Sequence, residues 1–376
     1  MQSITTELER KLIARIEREG PITFRDFMQS ALYDERLGYY NTERLKIGPA
    51  GDYYTSSNVH PAFGAVLAKV FVQLRQEMLD ESLREVFAII EVGAGTGQLA
   101  SDVLTSMRDE HPTAFEKLRY IIIEASPAMR AQQREKLAAF SERVEWRELS
   151  ELGREPIQAI AFSNELVDAM PVHRVRFARG QIEEQFIKAE PGSETSEGKH
   201  LALVWGKPSS PMLIEYVERM NVNLVEGQII EINLDAIEWL ARMSRAIKSG
   251  FLVTIDYGDA AAHLYGPDRV QGTLRSFHRH RLIGSLLERV GEQDITASVN
   301  FTALMEYGRD FGLETVSYER QTAFLIRNGL IERIARMHAA SDTVDDLKER
   351  LAVKNLFAPG GASDNFRVLV QRKACS

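Results

Sequence analysis

A cluster of three glycines between an apolar run and an amphipathic segment restricts the fold of this sequence most strongly. The stretch IIEVGAGTGQLASDVL spans residues 89–104, and its glycines are Gly93, Gly95 and Gly97. Glycines spaced this densely weaken a helix or a strand, but they suit a turn whose backbone takes conformations that other residues avoid. The pattern predicts a buried strand that carries Glu91 near its end, then a bare turn, then a helix.

Strand-like and helix-like segments alternate around this turn. Such alternation predicts βαβ units and a mostly parallel sheet, and therefore an α/β fold. The predicted strands are EVFAIIEVG, RYIIIEAS, RVEWREL, AIAFSNE, FLVTIDYGD, GLETVSYERQTAFLI and NFRVLVQRK, and the helices that follow the first two are QLASDVLTSMRDE and PAMRAQQREKLAAF.

The same patterns divide the chain into three regions. We expect an N-terminal helical extension over residues 1–84, which also carries a loop over the ligand site. Residues 85–178 and 237–376 form the α/β core, and residues 179–236 form an insertion. PVHRVRFARGQIEEQFIKAE predicts a hairpin at the start of the insertion. AIEWLARMSRAIKSG predicts a helix that stops at Gly250.

Composition excludes several classes of protein. The net charge of −8 over 376 residues argues against a broad electrostatic attraction to nucleic acid. Cys375 is the only cysteine, which excludes internal disulfides and multi-cysteine zinc sites and favours a reducing compartment. No apolar run reaches the roughly 20 residues of a membrane span. The acidic N-terminal segment resembles neither a signal peptide nor a transit peptide, so the expected location is the cytoplasm. The oligomeric state stays open.

Glycine spacing separates the possible ligand classes. A dinucleotide fingerprint needs glycine at the sixth position, which Gln98 occupies, and a phosphate loop needs a Gly-Lys-Ser/Thr ending, which is absent. E-x-G-x-G-x-G instead matches the first motif of class I S-adenosylmethionine methyltransferases. Glu124 ends the next predicted strand, where its carboxylate can accept both hydroxyls of a ribose. The alternative is a tight strand–helix turn and a solvated acid.

Acidic residues follow the fourth predicted strand. Amide-nitrogen and adenine-nitrogen methylases carry an Asn/Asp-Pro-Pro-aromatic motif there, whereas this chain has Asn164-Glu165-Leu166 after Ser163, which disfavours that class. Glu165 and Asp168 are three positions apart, so a turn in the segment would let both carboxylates face one guanidinium or amine. The alternative is that these residues cap a helix.

Seven stretches, in order over most of the chain, resemble the MidA-like family of methyltransferases, which includes the mitochondrial complex I assembly-factor arginine methyltransferase. They are GPITFRDFMQSALYDERLGYY, GDYYTSS, IIEVGAGTGQLASDVL, SNELVDAMPVHR, IDYGD, GTLRSFHRHR and GEQDITASVNFTAL. The resemblance implies a class I S-adenosylmethionine-dependent methyltransferase fold, Rossmann-like with a mostly parallel seven-stranded sheet, plus an N-terminal extension and a mid-chain insertion. Since no mitochondrial address is evident, we expect a bacterial member.

The resemblance also implies roles for individual residues. The expected cofactor is S-adenosyl-L-methionine, bound by Gly51, Asp52, Thr55, Ser56, Glu91, Gly93, Gly95, Gly97, Glu124 and Asn164. The residues expected near the transferred methyl group are Glu165, Asp168 and His173. Another wall of the site is expected from Arg275, His278, Asp294 and Thr296.

There are two departures from the family pattern: the first lies in the cofactor motif and leaves cofactor binding intact, and the second bears on the substrate. Ala94 stands where the family often has proline, which still fits the general methyltransferase motif. Ser298 and Asn300 stand where histidine and aspartate are expected, and the missing carboxylate puts a substrate shared with the mitochondrial branch in doubt. His278 and His280 lack nearby acids or cysteines, so no metal site is predicted.

The sequence therefore predicts an S-adenosylmethionine-dependent methyltransferase that acts on arginine in a protein, with a respiratory complex subunit as one candidate partner. Neither nucleic acid binding nor membrane insertion is expected. Two alternatives stay open: a methyltransferase that acts on lysine or on a small molecule, and a cofactor-binding assembly chaperone without turnover.

Overall fold

The computed structural model describes residues 6–42, 60–78, 87–191, 198–278, 281–282, 284–338 and 365–374. The strands of these residues are β1 (Ile22–Thr23), β2 (Phe87–Val92), β3 (Leu118–Ile123), β4 (Val144–Trp146), β5 (Ile157–Asn164), β6 (His173–Ala178), β7 (Gln181–Pro191), β8 (Lys199–Gly206), β9 (Ile229–Ile232), β10 (Ile247–Asp259), β11 (Arg275–His278), β12 (Arg281–Leu282), β13 (Asp294–Thr296), β14 (Val299–Asn300), β15 (Leu313–Arg320) and β16 (Phe366–Lys373). The α-helices are α1 (Glu7–Glu19), α2 (Phe24–Tyr33), α3 (Ala62–Met78), α4 (Gln98–Glu110), α5 (Pro112–Phe115), α6 (Pro127–Lys136), α7 (Leu149–Leu152), α8 (Met212–Met220), α9 (Leu234–Ala246), α10 (Ala261–Leu264), α11 (Phe301–Asp310), α12 (Gln321–Arg327) and α13 (Leu330–His338).

The chain divides into two compact units. The parallel-sheet unit comprises residues 54–167, 238–258 and 304–376, and the antiparallel unit comprises residues 1–53, 168–237 and 259–303. These boundaries differ from the expected ones. Residues 168–178 and 259–303, expected in the core, belong to the antiparallel unit, and residues 54–84, expected in the N-terminal extension, belong to the parallel-sheet unit. Helix α3 packs in the core of the parallel-sheet unit because its apolar face meets α4. Strand β6 belongs to the antiparallel unit because it pairs with β7 and β9.

The parallel-sheet unit contains a seven-stranded path in the order β15-β16-β10-β5-β2-β3-β4. Strands β10, β5, β2, β3 and β4 run parallel, whereas β16 is antiparallel to both β10 and β15. From β2 the chain adds β3 and β4 on one side and β5 and β10 on the other. Open α/β sheets bind ligands beyond the carboxyl ends of the strands at such a reversal. The predicted mostly parallel seven-stranded sheet is confirmed.

Helices α3 and α4 pack in the apolar core of this unit, together with its central strand β2. All six residues of β2 are buried, as expected for a parallel strand that is covered on both faces. The rings of Phe71 on α3 and Phe162 on β5 lie 5.0 Å apart between centroids. A Cβ at Gly64 would lie 2.6 Å from the Cβ of Asp102, so this glycine allows α3 to approach α4 closely.

The antiparallel unit is built on a second sheet. Its strand order is β1-β7-β6-β9, and β8 pairs with β7. Arg179 and Gly180 join β6 to β7 with φ of 52° and 75°, the left-handed conformations that a two-residue hairpin loop requires. The predicted hairpin is therefore confirmed. Helix α2 begins after Thr23, whose Oγ1 accepts a hydrogen bond of 3.0 Å from the backbone N–H of Asp26.

Two sequence-based element boundaries were wrong. The helix expected to stop at Gly250 ends at Ala246, and Gly250 lies inside β10. A Cβ at Gly250 would lie 2.0 Å from the carbonyl oxygen of Ala159, so the glycine serves close strand approach. The strand expected through residues 312–326 ends at Arg320, where α12 takes over and buries Phe324. None of the helices in the described ranges is long and apolar enough to cross a membrane.

Candidate active site

The glycine turn lies between β2 and α4 and has a left-handed backbone at each glycine. The φ angles of Gly93, Gly95 and Gly97 are 72°, 52° and 79°. The backbone N–H of Gly93 donates to the carbonyl oxygen of Ile123 over 2.9 Å, and that of Gly97 donates to Ala94 over 2.8 Å. A side chain at any of the three glycines would be strained, whatever space surrounds it.

Two of these glycines also make room for neighbouring segments. A Cβ on Gly93 would lie 2.8 Å from Cδ1 of Leu166, and a Cβ on Gly97 would lie 3.3 Å from Cγ of Gln133. The turn is therefore bare partly because the segment after β5 and helix α6 pack against it. Gly93 and Gly95 are partly exposed, so their backbone can still approach a ligand.

Glu91 lies buried beneath this turn. Its Oε2 accepts a hydrogen bond of 2.6 Å from the Tyr120 hydroxyl. Burial raises the pKa of Glu91 to about 7; the Tyr120 hydrogen bond lowers it and the nearby Glu124 raises it further. Sequence reasoning missed Tyr120, although the parallel register places Ile122 beside Glu91 and Tyr120 two positions earlier on the same face. A direct contact between Glu91 and the cofactor stays a prediction.

Glu124 follows the carboxyl end of β3. Its Oε1 accepts the backbone N–H of Ser126 over 3.0 Å, and its Oε2 accepts Nε2 of Gln133 over 3.1 Å. Burial raises the pKa of Glu124, and these hydrogen bonds act against that rise. Each carboxylate oxygen has two lone pairs, so acceptor capacity is left for two ligand hydroxyls.

The chain turns sharply after β5 instead of entering a helix. Glu165 has a φ of 52°, a left-handed conformation that costs a residue other than glycine about 1–3 kcal/mol. Its backbone N–H donates to the carbonyl oxygen of Ile255 on β10 over 3.0 Å. No helix begins between β5 and β6, so the helix-cap alternative for the acids was wrong. The turn that the two-carboxylate hypothesis required is present.

Asp256 on β10 stabilises this turn through side-chain hydrogen bonds. It is completely buried, and its Oδ2 accepts the backbone N–H groups of Leu166 and Val167 over 3.1 and 2.8 Å. Its Oδ1 accepts the N–H of Tyr257 over 2.8 Å. Sequence reasoning used IDYGD as part of a strand and as one of the stretches that resemble the family, and it assigned Asp256 no role. An acid near the end of an apolar strand was nevertheless a signal for a buried polar role.

Two side chains at the end of β5 have buried oxygens without a protein partner among the described residues. These are Oγ of Ser163 and Oδ1 of Asn164. The amide nitrogen of Asn164 donates to Oε1 of Glu165 over 3.3 Å. A buried acceptor without a donor is costly, and a ligand donor would satisfy it. This supports the expected place of Asn164 at the cofactor, which stays a prediction.

Asp168 and His173 belong to the antiparallel unit. The carbonyl oxygen of Asp168 accepts the backbone N–H of Ala297 over 2.9 Å. The ring Nδ1 of His173 lies 2.7 Å from Oε1 of Glu184, and both side chains are largely buried. The backbone N–H of Ser209 also donates to Glu184, over 2.5 Å. His173 thus has a structural partner within its own sheet, and a role for it near the methyl group stays a prediction.

The remaining expected wall residues lie in a three-stranded sheet of the antiparallel unit. Strands β11 and β13 pair Arg275 with Thr296 and Phe277 with Asp294. Asp294 is buried and accepts the Tyr40 hydroxyl over 2.9 Å. The expected cofactor loop residues Gly51, Asp52, Thr55 and Ser56 lie outside the described residues. Within the described ranges, no group of three or more histidine, cysteine or acidic side chains is placed to hold a metal ion.

Asn300, where the resemblance led us to expect an aspartate, has a structural role in the antiparallel unit. Its Nδ2 donates to the hydroxyl of Tyr216 over 2.8 Å, and its Oδ1 accepts the N–H of Ala303 at the start of α11 over 3.2 Å. Its side chain is buried in these contacts.

The left-handed glycine turn, the acid after the next strand and the orphaned acceptors at the end of β5 fit S-adenosyl-L-methionine. With the sheet order, they define a class I S-adenosylmethionine-dependent methyltransferase. A family model described as S-adenosyl-L-methionine-dependent methyltransferase matches residues 66–319, more than half of the chain. The chain belongs to this family, the MidA-like methyltransferases.

Relatives and solved structures agree with this assignment. The chain is 24% identical to protein arginine methyltransferase NDUFAF7, mitochondrial, of Danio rerio, over 90% of this chain and 81% of that protein. It is 22% identical to the Homo sapiens protein of the same name, over 88% and 75%. A Burkholderia thailandensis crystal structure with bound S-adenosyl-homocysteine superposes with a TM-score of 0.85 at 27% identity, over 98% of this chain and 92% of that chain. The cofactor of this protein is S-adenosyl-L-methionine.

Proposed function

We propose that this methyltransferase transfers the methyl group to an arginine side chain of a protein. The observation that carries the proposal is the turn after β5. Glu165 is held there in a left-handed conformation by β10, at the edge of the sheet where open α/β folds bind ligands. Strained residues of this kind cluster at functional sites, because the surrounding structure must hold them in place.

A carboxylate at that position suits a guanidinium nucleophile. Arginine stays protonated at neutral pH, so its nitrogen lone pairs are delocalised and attack poorly. An acid beside the guanidinium orients it through charge-assisted hydrogen bonds and stabilises positive charge on the nitrogen that does not attack. Glu165 is the proposed acid in the parallel-sheet unit. Asp168, three positions along the chain, is the second proposed acid, and His173 is a third candidate near the methyl group.

The cofactor would be held by the glycine turn, Glu124 and Asn164, and when bound it supplies an electrophilic methyl group. The chain's own task is then to align the nucleophile with that methyl group and to exclude water. Left-handed glycines let the backbone approach the ligand, and the partly buried Glu124 offers its oxygens to the ribose. Gly51, Asp52, Thr55 and Ser56 are proposed to lie over the same ligand.

The arginine specificity draws further support from the names of the relatives, which are 22–24% identical to this chain. Lysine or a small molecule is the rival acceptor, and an assembly chaperone without turnover is the rival of another class. A subunit of a respiratory complex is the proposed protein partner, by analogy with the assembly-factor branch. A cytoplasmic site of action is part of the proposal.

Labelling with the cofactor tests these alternatives. Purified protein and methyl-tritiated S-adenosylmethionine are added to a cell lysate. Proteins are then separated from small molecules, label is measured in both fractions, and labelled proteins are hydrolysed to amino acids. Label in methylarginine is the expected result. Label in methyllysine or only in small molecules would replace the proposed acceptor. Absence of label, with calorimetric cofactor binding intact, would favour the chaperone.

Glu165→Gln tests the mechanism on the protein labelled most strongly. The amide keeps the shape of the side chain but removes its charge. Loss of one charge-assisted hydrogen bond in the transition state costs on the order of 1.5–3 kcal/mol, roughly a tenfold to hundredfold slower single turnover. Calorimetric cofactor affinity should change little. Asp168→Asn is measured alongside, and exposed Glu135→Gln on α6 serves as the control. Normal rates in both acid variants would contradict the carboxylate mechanism.

A further inference from the structure

A completely buried glutamine connects three strand ends at the cofactor site. Gln133 lies on α6, and its Nε2 donates to the carbonyl oxygen of Gly95 over 2.8 Å and to Oε2 of Glu124 over 3.1 Å. Its Oε1 accepts the indole N–H of Trp146 over 2.8 Å. One amide thereby joins the turn after β2, the acid after β3 and the last residue of β4.

Chemistry fixes the orientation of this amide. The indole N–H of Trp146 can only donate, so it must face Oε1 of Gln133. The Gly95 carbonyl and an ionised Glu124 carboxylate can both only accept hydrogen bonds. They must therefore face the two hydrogens on Nε2. A flipped amide would place donor against donor and acceptor against acceptor. Trp146 therefore determines which end of the amide meets the cofactor site.

We infer that Gln133 is a positioning residue. Its amide fixes the orientation of the Glu124 carboxylate relative to the glycine turn and favours the ionised carboxylate, which accepts hydrogen bonds from both hydroxyls of the cofactor ribose. The inference rests on the proposed contact between Glu124 and the ribose. An ionised carboxylate accepts at both oxygens, whereas a protonated one must use one oxygen as a donor. The Gln133 hydrogen bond favours the ionised form and fixes its rotamer, because the amide is itself held by Trp146 and Gly95.

This role can be measured as the preference of the protein for a ligand with both ribose hydroxyls over the same ligand without them. Calorimetry compares S-adenosylhomocysteine with its 2′,3′-dideoxy analogue, which lacks both hydroxyls. The wild-type protein should prefer the ribose form by about tenfold or more, because two hydrogen bonds to a charged acceptor are at stake. Gln133→Met keeps the approximate volume and removes every polar contact of the amide. It should reduce the preference to about threefold or less.

A merely structural role predicts a different result. A loosened helix α6 would weaken both ligands by the same factor and leave their ratio unchanged. The matched control is Gln98→Met on the neighbouring helix α4. Gln98 also makes two side-chain hydrogen bonds, to Asp102 over 2.9 Å and from Lys136 over 2.7 Å, and neither reaches Glu124. The ribose preference should stay at the wild-type value in this variant.

Two further variants complete the test. Trp146→Phe removes the N–H that orients the amide, together with part of a ring that packs against the core. It leaves the Gln133 amide in place, so it should lower the ribose preference by less than Gln133→Met does, and it keeps the test available if Gln133→Met does not fold. Glu124→Gln should abolish the preference, and adding Gln133→Met to it should reduce the ratio no further. The inference would be overturned if Glu124→Gln abolished the ribose preference while Gln133→Met and Trp146→Phe kept it at the wild-type value. If Glu124→Gln kept the wild-type ribose preference, the proposed contact between Glu124 and the ribose would be wrong. The labelling test for arginine methylation would be unaffected by that result.

Discussion

At the scale of single residues, buried acids of the parallel-sheet unit carry an electrostatic cost that depends on pH. Glu91 has a pKa of about 7 against an ordinary 4.5, because burial disfavours its charged form. Between these pH values the folded protein binds more protons than the unfolded chain. The contribution of Glu91 to the free energy of unfolding therefore falls as pH rises from about 4.5 to about 7, and it stays constant at higher pH.

Glu91→Gln should remove the contribution of Glu91 to this pH dependence. The amide keeps an oxygen for the Tyr120 hydroxyl and cannot ionise. The rise in the pKa of Glu91 from 4.5 to about 7 corresponds to about 3 kcal/mol. The variant should therefore match the wild type near pH 4.5 and exceed its unfolding free energy by up to about 3 kcal/mol at pH 8. Urea unfolding at both pH values measures this, with Glu135→Gln as control. An equal difference at both pH values would contradict the assignment.

At the scale of elements, the sequence predicted what local patterns encode. The strand, glycine turn and helix at residues 87–110 follow from apolar runs and from glycine spacing. Gln133, Tyr120 and Asp256 were missed because their roles depend on strand register and on helix packing, which join residues far apart in the chain. Gly250 was misread for the same reason, since its closest neighbour belongs to a paired strand.

The turn after β5 is an element held mainly from the neighbouring strand, so Asp256→Asn should loosen it. The amide removes the charge that accepts the N–H groups of Leu166 and Val167, and hydrogen bonds to charged groups are worth about 1.5–3 kcal/mol. Backbone hydrogen exchange of residues 163–169 should be roughly tenfold to hundredfold faster. Thr254→Val on the same strand is the control, because its buried hydroxyl has no partner among the described residues. Equal exchange in Asp256→Asn and the wild type would show that other contacts fix the turn.

At the scale of the whole molecule, the chain passes between the two units at five points, after residues 53, 167, 237, 258 and 303. Neither unit is a continuous stretch, so each depends on contacts between distant parts of the chain. The expected boundaries at 84, 178 and 236 were placed where the helix-like and strand-like sequence patterns change. Such patterns reflect local structure, so they did not reveal which segments pack together in one unit. A ligand that binds one unit therefore stabilises a structure assembled from several segments.

Thermal unfolding of the whole protein distinguishes the ligand classes that the glycine turn separates. A ligand that binds only the folded state at one hundred times its dissociation constant stabilises it by about 2.7 kcal/mol, which corresponds to a melting temperature several degrees higher. S-adenosylhomocysteine should produce this shift. NAD and ATP should not, because the turn has Gln98 at the sixth position and lacks the lysine of a phosphate loop.

Gly95→Val should abolish the shift that S-adenosylhomocysteine produces, since valine is strained at a φ of 52° and its side chain would stand where the backbone approaches the ligand. The variant must first show the circular dichroism of the wild type. A shift with NAD as large as that with S-adenosylhomocysteine would mean that the turn recognises nucleotides through features other than its glycine spacing.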